Sequence, residues 1–123
     1  MFDKKLLGKI GEDMAEAILF SEGYTILDRN FHSYFGEIDI ICMKDGVLYF
    51  VEVKTRTSET FGQPEDAVDD TKQYRIRKTA ECYLLKHTSS RAGDGPKYFS
   101  SEPEVIFKVM EILVRETDDS FLM

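Results

Sequence analysis

The first twenty residues repeat apolar side chains at the spacing of an α-helix. Between residues 6 and 20 an apolar residue recurs every three or four positions, which gives the segment one apolar face. Gly23 follows as a stop signal, because glycine favours the backbone conformation that ends a helix. The pattern therefore predicts an amphipathic helix over 6–20. Its apolar positions are Leu6, Leu7, Ile10, Met14, Ala17, Ile18 and Phe20.

Three short segments then carry the β-branched and aromatic residues that are typical of strands. Each segment is bounded by residues that favour turns, so the pattern predicts three strands in succession. The predicted strands cover 24–27, 38–43 and 47–53, and the bounding residues are Asn30, Gly36 and Asp45-Gly46.

The second half of the chain predicts a helix, a loop and a strand. A segment that begins at Pro64 and ends near His87 carries apolar residues at helical spacing, which suits one or two helices. Residues 88–101 are polar and interrupted by Gly and Pro, so we expect a mobile connection there rather than a substrate lid. Residues 105–114 predict a last strand. The order helix, three strands, helix, strand predicts an α/β fold in which helices flank a central mixed sheet.

The pair Asp45-Gly46 predicts the geometry of the hairpin between the second and third strands. Asp-Gly between two alternating strands is typical of a two-residue turn, which pairs Lys44 with Val47. Because side chains alternate strictly between faces, this one pair fixes the register of the whole hairpin. The opposed pairs that follow are Ile40 with Val51, Asp39 with Glu52, Ile38 with Val53 and Glu37 with Lys54.

This register brings two carboxylates together on one face and puts Ile38, Ile40, Val51 and Val53 on the other. Opposed side chains have Cβ atoms about 4.5–5.5 Å apart, and like charges at that distance destabilise a hairpin. A hard divalent cation, Mg²⁺ or Mn²⁺, would bind both Asp39 and Glu52 and reverse the sign of their interaction. Lys54 points to the same side, where it could orient a water or hold a phosphate oxygen.

Two alternatives stay open for these charges. They could be solvated side chains on the open face of an antiparallel sheet, where Glu37 opposite Lys54 would be a favourable pair. A bulge or an odd-length loop would instead put Asp39 and Glu52 on opposite faces.

Composition limits the classes of protein to consider. A chain of 123 residues with 42% hydrophobic and 32% charged residues suits one packed domain over 1–123. A formal charge of −7 argues against a protein that coats nucleic acid or anionic membrane non-specifically. The two cysteines, Cys42 and Cys82, have no zinc or disulfide spacing. With no apolar run long enough to span a membrane, we expect a cytoplasmic protein.

Basic residues are concentrated in the middle of the chain. Residues 52–91 carry eight basic and seven acidic side chains, whereas 1–51 carry five and nine and 92–123 carry three and seven. The middle segment is therefore the credible surface for phosphates. Alternatively, the basic residues of its helix are only a solvated face. The candidate phosphate contacts are Lys54, Arg56, Lys72, Arg75, Arg77 and Lys78.

Two resemblances follow from these motifs. Asp39 followed by Glu52-Val53-Lys54 resembles the metal site of the PD-(D/E)XK nuclease superfamily, which has the restriction-endonuclease-like fold. A wider set of motifs resembles the YraN-like family of small bacterial proteins, relatives of archaeal Holliday-junction resolvases. The motifs that carry the second resemblance are Gly8-x-x-Gly11-Glu12-x-x-Ala15, Gly23-Tyr24, Arg29-Asn30, Gly36-Glu37-Ile38-Asp39-Ile40-Ile41, Phe50-Val51-Glu52-Val53-Lys54-x-Arg56, Phe61-Gly62 and Lys72.

The resemblance implies specific roles for four residues. Asp39 and Glu52 would be metal ligands, Lys54 the catalytic lysine, and Glu12 of the first helix a possible further ligand. Glu12 is equally well explained as a solvated helix charge. The family often has Arg-Phe-Asp entering its last strand, where this chain has Glu102-Pro103-Glu104, so one expected phosphate or carboxylate partner is missing.

The leading hypothesis is a Mg²⁺- or Mn²⁺-dependent phosphodiesterase that acts on DNA or structured nucleic acid, in repair or recombination. Asp39 and Glu52 would hold the metal, Lys54 would orient the attacking water, and Lys54, Arg56, Lys72 and Arg75 would contact phosphates. The first alternative is a non-catalytic module that binds nucleic acid or protein on the same fold. The second is a metal bound only for stability. A homodimer is an expectation by analogy with junction resolvases.

Overall fold

The computed structural model describes residues 3–57, 69–88, 99 and 101–115. Its helices and strands follow the predicted order and form an α/β fold. The largest difference from the predicted bounds is the first strand, expected over 24–27, which extends to Ser33. The elements are α1 (Lys4–Ser21), β1 (Thr25–Ser33), β2 (Gly36–Lys44), β3 (Val47–Arg56), α2 (Asp70–His87) and β4 (Glu104–Leu113).

The four strands form one mixed sheet in the order β1-β2-β3-β4. β1, β2 and β3 are antiparallel neighbours, and β4 lies parallel to β3 at the edge. A parallel neighbour requires a crossover connection, and α2 belongs to the segment that links β3 to β4. The predicted mixed sheet between helices is confirmed.

The sheet has a hydrophobic core on each face. On one face the side chains of α1 pack against the sheet, and on the other face those of α2 do so, with Tyr83 completely buried. The first core contains Ala15, Leu19, Ile40, Cys42, Val51 and Ile112. The second contains Ile38, Ile41, Leu48, Phe50, Ala80, Tyr83 and Phe99. Because helices cover both faces, the alternative of an open, solvated sheet face does not apply to this hairpin.

Helix α1 begins where the sequence provides a cap and lies very close to β3. The side chain of Asp3 accepts a hydrogen bond from the backbone N–H of Leu6 at 2.7 Å, which satisfies one of the free donors of the first turn. At Gly11 the helix backbone meets Thr55, and an added Cβ would lie 1.8 Å from Thr55 Oγ1. Only glycine fits at position 11 without displacing Thr55 or the helix.

Helix α2 begins at Asp70 and is capped in the same way. The side chain of Asp69 accepts a hydrogen bond from Lys72 N at 2.8 Å. The expected start of this helical segment at Pro64, with Ala67 and Val68, lies outside the described residues.

The predicted hairpin turn is confirmed. Asp45 and Gly46 have φ angles of 51° and 79°, as a two-residue turn of this type requires. Lys44 pairs with Val47, and the ladder continues as predicted as far as Ile40 with Val51.

The alternation of side chains along β1 and β2 shifts at Asn30 and Asp39. The ladder between these strands passes from Phe31 with Ile38 to the next pair by skipping Asn30 and Asp39. Asn30 has a φ of 52°, a left-handed conformation that asparagine adopts more readily than most residues. Ile38 consequently packs on the α2 side, whereas Ile40 packs on the α1 side. The prediction that both lie on one face was wrong, because it assumed unbroken alternation.

Within the expected loop over 88–101, Thr88 and Phe99 form an isolated parallel bridge and Phe99 is buried. Residues 89–98 and 100 lie outside the described residues. In the part of the chain that the structure describes, no helix is long and apolar enough to cross a membrane.

Candidate metal centre and nucleic-acid groove

Strands β2 and β3 separate at the position of Asp39. Their ladder ends at Ile40 with Val51, one residue before the predicted pair of Asp39 with Glu52. Beyond this pair, the backbone N–H of Val53 donates a hydrogen bond to the side chain of Asp39 instead of to a β2 carbonyl, with Val53 N 2.8 Å from Asp39 Oδ2. The carboxylate thus lies between the two strands instead of standing opposite Glu52. The predicted cross-strand pair is therefore replaced by a side chain to backbone contact.

The pKa of Asp39 is raised from its ordinary value of 3.8 to about 6. Burial is the largest cause, because it penalises the charged form. The hydrogen bond from Val53 lowers the pKa, whereas the negative charges of Glu12, Glu37 and Glu52 raise it. Asp39 therefore changes its protonation close to neutral pH, and a cation beside it would favour the ionised form.

Glu52 is the second carboxylate of the site, and it is held by two lysines. Its Oε1 contacts Lys72 Nζ of α2 in a short ion pair and lies 3.5 Å from Lys54 Nζ of β3. Its Oε2 is buried and has no hydrogen-bond partner among the described residues. A buried carboxylate oxygen without a partner is costly, so this atom is the natural place for a further donor or a cation.

The two lysines respond differently to this shared partner. The pKa of Lys54 is lowered from 10.5, first by burial and then by Lys72, against the attraction of Glu52. Burial also acts to lower the pKa of Lys72, but hydrogen bonding to Glu52 and Lys54 and the attraction of Glu52 and Asp39 outweigh it and raise the pKa. Lys54 is therefore the ammonium group that gives up a proton more easily.

Glu12 of α1 reaches the same region from the opposite layer, but other groups hold its carboxylate. Arg29 Nη2 lies 3.3 Å from Glu12 Oε1. With its amide oriented so that the nitrogen faces both acids, Asn30 donates to Glu12 Oε1 at 3.1 Å and to Glu37 Oε1 at 2.7 Å. Both Arg29 and Asn30 reach these acids because the left-handed backbone of Asn30 interrupts the alternation of β1. Glu12 as a metal ligand stays a prediction.

Sequence reasoning quoted Arg29 and Asn30 only as parts of a motif and missed what they contact. Arg29 also binds Asp13 at 2.8 Å and lies 3.8 Å from Glu16, so it links α1 to β1. Glu12 and Glu16 lie one turn apart on α1, and two neighbouring acids indicate that a basic side chain lies close to them. Local patterns did not identify this side chain as Arg29, because it is thirteen or more residues away in the sequence.

A groove of about 710 Å³ runs between α2 and the sheet and contains both Asp39 and Glu52. On the helix side it is lined by the basic residues Lys72, Arg75 and Arg77, and near the edge of the sheet by Phe107 and Val109. Its basic side chains therefore share one groove with the two acids.

The structure places the four predicted phosphate contacts differently. Arg75 is exposed and lines the groove, as does Lys72. Lys54 and Lys72 both contact Oε1 of Glu52. Arg56 is only 7% exposed. A phosphate contact needs an accessible guanidinium, so Arg56 is less favourably placed on β3 than Arg75 is on α2, and its phosphate contact stays a prediction.

Within residues 3–57, 69–88, 99 and 101–115, no group of three or more His, Cys, Asp or Glu is arranged to hold a metal ion. A metal in this groove would therefore rest on Asp39 and Glu52, completed by water or substrate oxygens. Mg²⁺ is often bound in this way, by one or two carboxylates with several waters.

The motifs of the site are shared with a group of bacterial proteins. The sequence profile of the uncharacterised protein family UPF0102 matches residues 11–112. The chain belongs to the UPF0102 family. This is the family to which the YraN-like motifs pointed, and the matched residues include both carboxylates of the groove and the two lysines that contact Glu52.

Individual UPF0102 proteins match over most of the chain. A UPF0102 protein of Syntrophomonas wolfei is 46% identical over 110 residues, which are 89% of this chain and 86% of that protein. A UPF0102 protein of Clostridium tetani is 41% identical over 117 residues, or 95% and 87% of the two chains. A third, from Dictyoglomus turgidum, is 49% identical over 82 residues, or 67% and 70%.

The raised pKa of Asp39 predicts that the folding stability of this UPF0102 protein depends on pH. The pKa of Asp39 in the folded protein is about 6, above its ordinary value of 3.8. Ionising Asp39 therefore lowers the free energy of unfolding of the protein as pH rises between these two values, and the loss persists at higher pH. The full difference corresponds to about 3 kcal/mol, and solvent screening of a partly exposed group reduces the expected effect to about 1–2 kcal/mol. Asp39→Asn removes the charge while its side-chain oxygen can still accept from Val53 N.

We therefore expect Asp39→Asn to be more stable than wild type by about 1–2 kcal/mol near pH 8 and almost equal to it near pH 4. The measurement is denaturant unfolding at several pH values with a metal chelator present. Glu104→Gln, at an exposed site far along β3 and β4 from Glu52, serves as the control and should give no such pH-dependent difference. Equal stability of Asp39→Asn and wild type across the range would contradict the electrostatic description of the site.

Proposed function

We propose that this protein is a divalent-metal-dependent phosphodiesterase that cleaves DNA or structured nucleic acid in the groove between α2 and the sheet. The observation that carries the proposal is the meeting of Asp39, Glu52 and Lys72 in one groove, with Lys54 Nζ 3.5 Å from Glu52 Oε1. Glu52 Oε2 is buried there and has no partner among the described residues. A site built only for stability would pair that oxygen, because an unsatisfied buried acceptor costs about 1–3 kcal/mol.

The donor set fits a hard cation. Carboxylate oxygens are the ligands that Mg²⁺ and Mn²⁺ prefer. A cation bound by Asp39 and Glu52 would favour the ionised form of Asp39, whose pKa is raised mainly by burial and further by the charges of Glu12, Glu37 and Glu52. When bound there, the metal would supply Lewis acidity towards the phosphate and a hydroxide-like water at neutral pH. Glu52 would bind it through Oε2, since Oε1 is occupied by the lysines.

The lysines have separate tasks in this proposal. Lys54 has the lowered pKa and lies beside Glu52, so it is suited to orient the attacking water or to exchange a proton with it. Lys72 keeps its proton more firmly and holds Glu52 in place, and its positive charge favours the phosphate that enters the groove. The resemblance to PD-(D/E)XK nucleases supports the same assignment of Asp39, Glu52 and Lys54.

A second candidate function is a binding module without catalysis. The feature that favours it is the ion pair of Glu52 with Lys72, which already neutralises one carboxylate, in a chain with a net charge of −7. In that case the groove would bind nucleic acid or protein and the metal would be dispensable. A direct comparison of binding and cleavage separates the two functions.

The test is an incubation of the purified protein with labelled nucleic acids and a chosen metal. Single-stranded, duplex, flap and four-way-junction DNA, and RNA, are each combined with Mg²⁺, Mn²⁺ or a chelator. We expect cleavage of at least one DNA substrate with metal and none with chelator. Specific binding without cleavage under every metal would contradict the phosphodiesterase and favour the binding module.

The groove also predicts how binding depends on salt. Each phosphate contact made by a lysine or arginine contributes about −0.7 to −0.9 to the slope of log affinity against log salt. Arg75 is exposed and lines the groove, so Arg75→Ala should make the slope less negative by one such contribution. The measurement is fluorescence anisotropy over a salt series with a chelator.

Lys9→Ala is the matched control for Arg75→Ala. Lys9 lies on α1, on the other face of the sheet, where it pairs with Asp13. Its removal should leave the slope unchanged. If Arg75→Ala and Lys9→Ala change the slope equally, the nucleic acid does not follow the groove.

A further inference from the structure

An aromatic cluster adjoins Gly36, one of the residues that line the groove. It consists of Tyr34 and Phe35, in the turn between β1 and β2, and of Tyr74 on α2. Tyr34 is 97% exposed and Tyr74 is 52% exposed. The ring centroids of Tyr34 and Phe35 are 5.4 Å apart, and those of Phe35 and Tyr74 are 6.4 Å apart, both in edge-to-face contact.

A turn of this kind does not need aromatic residues. Turns favour small and polar residues, and a fully exposed tyrosine ring contributes little to folding, because it buries almost no apolar surface. The exposed ring of Tyr34 is therefore not explained by the hydrophobic cores of this fold.

The aromatic cluster is fixed to α2 by hydrogen bonds. Ser33 Oγ and Thr79 Oγ1 are 2.8 Å apart, and Phe35 N donates to Ser33 Oγ at 3.0 Å. Thr79 Oγ1 also lies 2.8 Å from Arg75 O, which ties the same contact to the helix backbone. A ligand that stacks on the cluster would not need to order the turn, so less free energy is lost on binding.

Two basic side chains of α2 lie near the cluster. Lys78 Nζ is 5.8 Å from the centroid of the Tyr74 ring, and Arg75 lines the groove together with Gly36. The groove continues from these residues to Asp39 and Glu52. Aromatic rings beside cations on one strip of surface match the two parts of a single-stranded nucleic acid, which are its base faces and its phosphates.

We propose that the aromatic cluster stacks unpaired bases, so that the protein recognises nucleic acid with a single-stranded segment whose backbone follows Arg75 into the groove. This inference rests on the proposed function, because it names the substrate class of the same groove. Paired bases inside a duplex expose only their edges, so they offer no face to Tyr34. The cluster therefore selects single-stranded or locally unpaired nucleic acid over blunt duplex.

The test compares two ligands and three variants of the full chain. A fluorescein-labelled single-stranded oligonucleotide and its blunt duplex are titrated by anisotropy with a chelator present, so that cleavage cannot interfere. Tyr34→Ala should weaken binding of the single strand by about fivefold or more, the loss expected for one base stack. Duplex binding should stay unchanged. Tyr34→Phe keeps the ring and should bind as wild type.

Phe20→Ala is the matched control, because Phe20 is an aromatic residue that is 73% exposed on α1, on the other face of the sheet. It should bind both ligands as wild type. The proposal is overturned if Tyr34→Ala binds the single strand as wild type, if it weakens both ligands equally, or if the wild type binds neither, in which case a protein partner becomes the candidate occupant.

The outcome is separable from that of the proposed function. Selective loss in Tyr34→Ala without cleavage by the wild type under any metal would support base stacking and reject the phosphodiesterase. Cleavage by the wild type together with unchanged single-strand binding in Tyr34→Ala would do the reverse.

Discussion

Glu52→Gln is expected to reduce metal-dependent cleavage of nucleic acid by at least about a hundredfold, since changes to the outer partners of metal ligands alone cost about 10–100-fold. The substitution keeps the shape of the side chain but removes its charge. It thereby removes an anionic ligand of the proposed metal and the group that holds both lysines at the groove. Lys54 and Lys72 would then repel each other without a shared anion.

Glu81→Gln is the control for this experiment. Glu81 is an exposed acid on α2 that pairs with Lys78 at 3.3 Å and does not line the groove, so its loss removes one negative charge without changing the proposed site. We expect Glu81→Gln to cleave as wild type. Metal affinity, measured by calorimetry, should fall in Glu52→Gln and not in Glu81→Gln. Full cleavage activity in Glu52→Gln would reject Glu52 as part of a catalytic site.

Gly11→Ala is expected to destabilise the protein by about 1–3 kcal/mol, the usual cost of overpacking a tight contact. The new Cβ would lie 1.8 Å from Thr55 Oγ1 and 2.8 Å from both Thr55 Cβ and Cγ2, so α1 must move away from β3. This loss overcomes the gain of about 1 kcal/mol that alanine normally brings to a helix interior. The measurement is denaturant unfolding at equilibrium.

Gly8→Ala on the same helix is a matched control of opposite sign. An added Cβ at Gly8 meets nothing within 4 Å, so the substitution should stabilise the protein by up to about 1 kcal/mol. Combining Gly11→Ala with Thr55→Ala should recover part of the loss, because the side-chain atoms that clash are removed. If Gly11→Ala is as stable as Gly8→Ala, the close approach of α1 to β3 is wrong.

Much of the fold was accessible from local sequence signals. The helical spacing over 6–20 predicted α1, and Asp45-Gly46 predicted a turn whose register holds from Lys44 with Val47 to Ile40 with Val51. These predictions succeed because they depend on neighbours within a few residues. The YraN-like motifs identified the family for the same reason, since each motif is a short stretch of neighbouring residues.

The sequence by itself predicted the residues of the proposed site, namely Asp39, Glu52 and Lys54 on one hairpin with Lys72 on the second helix. It did not determine how they meet. The left-handed backbone of Asn30 and the separation of β2 from β3 turn Asp39 towards Val53 N, and only the docking of α2 brings Lys72 to Glu52. Such contacts depend on the balance of burial, charge and backbone hydrogen bonding across distant segments, which no local pattern encodes, so only the tertiary structure decided them.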